Sequence, residues 1–455
     1  MGRTLASFAL PLALLACADG VDQSLGASAS SGGPAGSSGA GGVGGGAGAG
    51  AGAAAGAAGA AAAAGAASAT GGANAAGAPT AAGGTGAAGG GAAGAGGGAN
   101  AGAAGAAGFS PAPHAPFPLV TDHGGATLPH VELFTITYPG YPYATAIEAW
   151  ADWIPTSSWL ATVGADYGVG AGTHSGHLVM SEPAPASISD DQIKGLLAGL
   201  VKSGDLPAPT SDTLFMIFFP ESTSVVLGGS PSCVSFGAYH ASAGGTVPVF
   251  AYAVEPACPG TKFGPDELAG VMVAASHELI EAATDARPES KQGFTLTSGE
   301  KGAFDFIGGE VGDLCAHQPT KIDGFWVQRS WSSSEALAGR NPCVPVPAGE
   351  VYYNVTVPSD SVRAVAAGDS TTFDVTGWSL APTADWQIDA QKKLADFTPI
   401  LELDRATLNN GEVAHLKVTV PPGTPSQARA GFVVRSLRGG DTDDYTMWPM
   451  AVHVP

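Results

Sequence analysis

The stretch Ala275-Ser276-His277-Glu278-Leu279-Ile280-Glu281-Ala282-Ala283-Thr284-Asp285 sets ionisable groups into an apolar run with helical spacing. Upstream, Gly264-Pro265-Asp266-Glu267 supplies a proline and acids suited to a first turn. Leu268, Val271, Met272, Ala275 and Leu279 then fall at i, i+3, i+4, i+7 and i+11, a single buried stripe, and Arg287-Pro288 ends the run. A helix with such a stripe needs a sheet to lie on. The compact apolar runs Val131–Tyr138, Thr213–Phe219 and Val247–Val254 read as buried strands. Tyr143–Val163 and Ser189–Lys202 read as helices, the second opened by the cap and acidic first turn Ser189-Asp190-Asp191. This order of elements predicts an α/β domain over residues 109–347, a mixed sheet with helices packed on it.

After Pro347 the helical spacing stops. Glu350–Val357, Ser370–Val375, Glu412–Val420, Gly431–Ser436 and Tyr445–Val454 read as strands, with Asn409-Asn410-Gly411 as a tight turn. Residues 348–455 are therefore expected to form an all-β, immunoglobulin-like sandwich that lacks the intersheet cysteine bridge of antibody domains.

His277 and Glu281 stand four residues apart and leave one face of the helix, with Glu278 turned about 100° from them. The pattern resembles the zincin helix HExxH with its second histidine replaced by glutamate. The resemblance implies a zincin-like fold, a metal held by His277 and Glu281, and Glu278 as the catalytic group that takes a proton from water. Carboxylate in place of imidazole shifts preference toward harder ions, so one divalent metal is expected, zinc first and calcium or manganese second. Gly308-Gly309-Glu310-Val311-Gly312-Asp313-Leu314-Cys315 adds Glu310 and Asp313 as further candidate ligands. His240 and Asp285 are candidates for support behind the ligands. The plainer alternative has Glu310 and Asp313 capping a turn and His277 as a core histidine. Trp150, Trp153 and Trp159 read as core rather than as a sugar-stacking platform.

Cys233, Cys258, Cys315 and Cys343 make an even number in an exported chain, which favours disulfides. Three pairings are possible. Cys233 with Cys258 and Cys315 with Cys343 is the expected one, since each closes a short loop around one motif. The stretch from Leu214 to Cys343 also resembles the EXORDIUM or phosphate-induced family of secreted proteins. The resemblance is carried by Cys233 with Tyr239-His240, Cys258-Pro259-Gly260, His277-Glu278-Leu279 with Thr284-Asp285, Gly312-Asp313-Leu314 and Cys343. It implies an extracellular role at the cell wall and makes His277, Glu278 and Asp313 the core of any site.

At the other end, Arg3 and the apolar run Leu5–Ala16 have the form of an export signal over residues 1–16. The run closes on Leu14-Leu15-Ala16-Cys17, which resembles a bacterial lipobox and makes Cys17 the lipidated residue; a signal cut near Ala18 with a chance cysteine is the alternative. Residues 17–108 are almost wholly Gly, Ala, Ser, Thr and Asn, too poor in apolar area to offset chain entropy, and read as a disordered tether. The chain is thus expected to be exported and lipid-anchored, at the outer membrane or cell surface of a bacterium. A formal charge of −21 argues against nucleic acid as a partner. Neither GxSxG nor GxxxxGK[ST] occurs, which argues against serine esterase and nucleotide-binding chemistry. Two functions follow: a metal-dependent, metallopeptidase-like hydrolase acting on extracellular material, or a non-catalytic surface protein that binds wall or matrix polysaccharide. A peptide or polysaccharide is the ligand in either case.

Overall fold

The computed structural model describes residues 108–260, 263–297, 301–357 and 361–455. The leader expected at residues 1–16, Cys17 and the Gly/Ala tract as far as Ala107 lie outside the described residues.

Strands outweigh helices, and the first part is organised by one five-stranded sheet. Its members are β1 (Glu132–Thr137), β2 (Thr173–Val179), β3 (Thr213–Phe219), β4 (Tyr239–Ala243) and β5 (Phe250–Pro256), in the order β2-β1-β3-β5-β4. The first four in that order are parallel, and β4 closes the edge antiparallel to β5. Helices α1 (Ala144–Trp153), α2 (Ser158–Val163), α3 (Asp190–Ser203) and α4 (Glu267–Thr284) complete the layers. Leu214, Met216 and Phe218 of β3 and Ala251 and Ala253 of β5 pack in one cluster with Met272, Ala275 and Leu279 of α4. The alternate residues Phe215, Ile217, Phe219, Tyr252 and Val254 pack in another with Ile193 and Leu197 of α3. Both faces of the sheet are covered, which explains why β3 is apolar without alternation.

The helix expected over Tyr143–Val163 is broken. Pro155 offers no backbone N–H, so the chain turns through Ile154–Thr156 and restarts at α2, where the Ser157 hydroxyl accepts from the Leu160 N–H at 3.1 Å. Trp150 and Trp159 are wholly buried as core, while Trp153 stacks on Phe325 with ring centres 4.9 Å apart. Among the strands that escaped the sequence reading, two are long. β2 (Thr-His-Ser-Gly-His-Leu-Val) is a half-exposed edge, and Trp386–Ala395 carries Gln, Asp and two lysines on its open positions; both lack the apolar content that marks a strand.

Beyond Pro347 two further sheets face each other. One orders Tyr353–Thr356, Ser370–Ser379, Val413–Thr419 and Ile400–Leu403; the other orders Val362–Ala364, Asp441–His453, Arg429–Arg438, Trp386–Ala395 and Thr407–Leu408. Phe373, Val375, Leu416 and Val418 from the first meet Ile388, Phe432, Val434, Met450 and Val452 from the second. Arg429–Arg438 is buried along nearly its whole length because its other face is covered too. Gly431 backs onto the ring of Phe306, and His317 stacks on Tyr445 with ring centres 4.6 Å apart. The passage through Pro347 is itself held: Arg329 donates to both carboxylate oxygens of Glu350 at 2.6 Å, and Arg438 pairs with the same carboxylate.

Candidate metal centre

Helix α4 starts where the sequence reading placed it, with the Asp266 carboxylate accepting from the Ala269 N–H at 2.9 Å. From Ala269 to Thr284 every residue is buried, because the sheet covers one side and Phe325–Gln328 and the 308–315 segment cover the other. The ionisable groups in the second half of the helix are therefore inside the protein: His277 and Glu278 are 0% exposed and Glu281 1%.

Three side chains meet as the spacing predicts. His277 Nε2 lies 3.1 Å from Glu281 Oε2 and 3.8 Å from Asp313 Oδ1. Gln328 sets the imidazole tautomer. Its amide NH2 donates to the Gly312 carbonyl at 2.9 Å, so its oxygen faces His277 Nδ1 at 3.0 Å and takes the proton there. Nε2 is then the nitrogen that faces the carboxylates, and the one a metal would take. The other oxygen of Glu281, Oε1, accepts from the Asp313 N–H at 3.0 Å, and Asp313 Oδ2 accepts from Gly309 and Glu310 at 3.1 and 3.4 Å. Gly308, at φ +101°, and Gly312 let the loop come this close; a β-carbon on Gly308 would fall 1.6 Å from Asp313 Oδ2.

Glu278 turns away from His277 along the helix, as the spacing predicts, and there it meets His240, which β4 delivers to the same place. Tyr239 points to the α3 side of the sheet and His240, one residue on, to the α4 side. His240 Nδ1 lies 3.2 Å from Glu278 Oε2 and 3.6 Å from Glu281 Oε2, and its Nε2 lies 3.8 Å from Glu310 Oε1. His240, expected behind the candidate ligands, is thus within 4 Å of three carboxylates, those of Glu278, Glu281 and Glu310. Asp285 caps the end of α4, its N–H donating to the Glu281 carbonyl at 2.6 Å, within the electrostatic reach of His240 and Glu310.

Two members were missed by the sequence reading. Glu255 follows Ala251 and Ala253 on the α4 side of β5, and both its oxygens are buried without a hydrogen-bond partner. Its signal was a carboxylate at the alternate position of a buried strand. Gln328 had no signal, since a lone glutamine in Phe325–Gln328 carries no spacing to His277.

The electrostatics follow from burial. Desolvation drives the Glu310 and Asp313 carboxyls well above their ordinary range, with the charge of Glu281 adding to it; Glu255 is raised likewise by burial and Glu278. Burial also raises Glu278, against its hydrogen bond from His240, and raises Asp285. Glu281 goes the other way, because His277 and His240 outweigh its burial. Burial opposes charge on His240, but Glu310, Glu278 and Glu281 overcome it and raise its pKa to about 10. Carboxylates crowded in this way away from water are relieved by taking up protons or by a bound cation. Among the described residues, two groups have ligand atoms close enough to hold one, each with all atoms within 4.8 Å: His277, Glu281 and Asp313, and His240, Glu278 and Glu281. A donor set of imidazole and carboxylate oxygen fits a divalent ion of the zinc to manganese kind.

The loop that carries Asp313 is tied at its end by a disulfide from Cys315 to Cys343, and the turn before β4 by one from Cys233 to Cys258. The pairing is the expected one. Two disulfides belong to a chain exported to an oxidising compartment. No helix of the described residues is long and apolar enough to cross a membrane.

No protein-family model and no curated protein sequence matches the chain. Among solved structures, it is similar over 23% of its length to domains 4 and 5 of the S-layer protein SbsC, at 16% identity and a TM-score of 0.17, spanning 46% of that chain. A family 123 glycoside hydrolase from Clostridium perfringens is matched over 23% of this chain and 27% of its own, at 6% identity and a TM-score of 0.17. The human PapD-like domain of CEP192 is matched over 25% of this chain and 92% of its own, at 8% identity and a TM-score of 0.17.

Proposed function

We propose that this chain is an exported, lipid-anchored protein whose first domain, residues 109–347, is a metal-dependent hydrolase of the metallopeptidase type acting on extracellular material. The observation that carries the reading is the convergence of His277 Nε2, Glu281 and Asp313, with Gln328 holding the imidazole in the tautomer a ligand needs. Those three residues would hold the ion, zinc before manganese or calcium. A divalent ion there supplies Lewis acidity and lowers the pKa of water to about 7. Glu278 is the nearest further carboxylate on the helix, and its Oε1, buried without a hydrogen-bond partner, is the proton acceptor. His240 holds Oε2 of the same carboxylate and so fixes which oxygen faces the reaction. Residues 348–455, read as an immunoglobulin-like sandwich, present the first domain, and Cys17 with the Gly/Ala tract anchors it at a distance from the membrane.

The test is elemental analysis of the purified chain together with turnover of a casein-derived peptide mixture. Metal should copurify, His277→Ala should lose it from that triad, and Glu278→Gln should keep it there while abolishing turnover. Absence of any stoichiometric metal, with a melting temperature unmoved by added zinc, sinks the reading. For the anchor, Cys17→Ser should release the protein from the membrane fraction; retention there rejects the lipobox.

A second reading is favoured by one observation, the complete burial of His277 and Glu278. In it the ion is structural and the chain is a surface protein of the EXORDIUM kind that binds wall or matrix polysaccharide. Metal that copurifies and raises the melting temperature, with no turnover of the peptide mixture and retention on a polysaccharide column, selects this reading.

A further inference from the structure

The metal reading above uses one triad, yet the helix serves two. We propose that the centre holds a pair of divalent ions, one at His277, Glu281 and Asp313 and the other at His240, Glu278 and Glu281, with the Glu281 carboxylate shared between them. This deepens the metal reading and rests on it.

The sharing is visible at a single atom. Glu281 Oε2 lies 3.1 Å from His277 Nε2 and 3.6 Å from His240 Nδ1, so both imidazoles converge on the same oxygen from different elements, α4 and β4. Its partner oxygen is occupied by the Asp313 N–H, which pins the carboxylate and leaves Oε2 to face both sites. Glu278 Oε2, 3.2 Å from His240 Nδ1, completes the second triad. Oxygen-sharing metal pairs in hydrolytic centres stand roughly 3.5–4 Å apart, a separation a single bridging carboxylate can set.

Two observations independent of acid clustering point to a ligand at the second triad. His240 is 1% exposed and Glu278 0%, and each leaves a polar atom, Nε2 and Oε1, without a hydrogen-bond partner. A buried polar atom without a hydrogen bond from the protein is satisfied by a water or an ion beside it. With one imidazole and two carboxylates each, both triads suit ions that accept mixed nitrogen and oxygen donors, zinc and manganese ahead of copper.

The experiment uses the full exported chain, stripped with chelator, titrated with manganese alone, desalted, and counted by elemental analysis and by electron paramagnetic resonance. Two equivalents and the multiline signal of an exchange-coupled pair are expected. His240→Gln and His277→Gln should each leave one equivalent with an uncoupled signal, and Glu281→Gln should weaken both sites at least tenfold. One equivalent in the unaltered chain, unchanged by His240→Gln, overturns the second site and leaves the first standing. No retained metal overturns both. The count and spectrum of the unaltered chain decide the matter even where a variant fails to fold.

Discussion

Gly312 passes so close to His277 that a β-carbon on it would stand 2.9 Å from Nδ1 of the imidazole and 2.8 Å from Glu281 Oε1. The backbone φ there is −76°, open to any residue, so the glycine is required for space alone. Gly312→Ala should therefore push the 308–315 loop off the helix, cost about 1–3 kcal/mol as an overpacked core does, and weaken metal binding with it. Thermal melting with and without zinc checks this; an alanine variant with unchanged stability and affinity would mean that the loop does not rest on His277.

Gln328 does no chemistry in this arrangement, and its effect should fall on affinity. Without its amide oxygen His277 can protonate on Nε2, the nitrogen that faces Glu281. Gln328→Leu, close in volume, should lower zinc affinity by about 10–100-fold, the usual range for partners of metal-bound histidines. Competition against a fluorescent chelator measures it. Equal affinity for the two proteins would remove Gln328 from the centre.

Cys315 and Cys343 are 28 residues apart, and closing a loop of that size restrains the unfolded chain. Replacing both with serine should cost about 3–4 kcal/mol. Because Asp313 is two residues from the bridge, the same change should loosen the metal. The Cys233–Cys258 pair, in the turn before β4, should affect stability by a similar amount through its separation of 25. Urea unfolding of the two double variants separates these effects.

Glu350 should give the fold an acid-labile joint. Burial pushes its carboxyl up from the ordinary 4.5, but Arg329 and Arg438 outweigh that and hold it below. A carboxylate with a depressed pKa in the folded state adds stability that is complete above the unfolded value and fades as pH falls through the folded one. Stability should thus drop below about pH 4.5 partly through this group. Glu350→Gln should flatten that limb and, at neutral pH, cost about 3 kcal/mol, the low end for a broken buried pair because Glu350 keeps 18% exposure. Parallel unfolding curves for both proteins from pH 3 to 7 would show Glu350 to be irrelevant.

The elements legible in the sequence were those whose signal is local. Periodicity marked α4 and α3, and continuous apolar character marked β3, since these features come from contacts with a generic apolar partner. Pro155 was visible but its consequence was underweighted, and β2, half exposed and interrupted by Gly176, offered too few apolar residues to be read. In the centre, His277 and Glu281 were legible together because a helix fixes the relation between i and i+4. Asp313 was legible as a candidate only because glycines and a cysteine frame it.

The chain's own pattern therefore determined that a helix would present His277 and Glu281 on one face, that a Gly-rich, cysteine-tied loop would follow, and that a β-rich segment would come after Pro347. Only the tertiary structure decided that His240 comes within hydrogen-bond reach of Glu278, that Glu255 joins them from the neighbouring strand, and that Gln328 holds Nδ1 of His277. The physical reason is separation along the chain: Glu278 is 38 residues from His240 and His277 is 51 from Gln328. Contacts over such distances are set by strand order and by the alternation of side chains across the sheet, which no local pattern encodes.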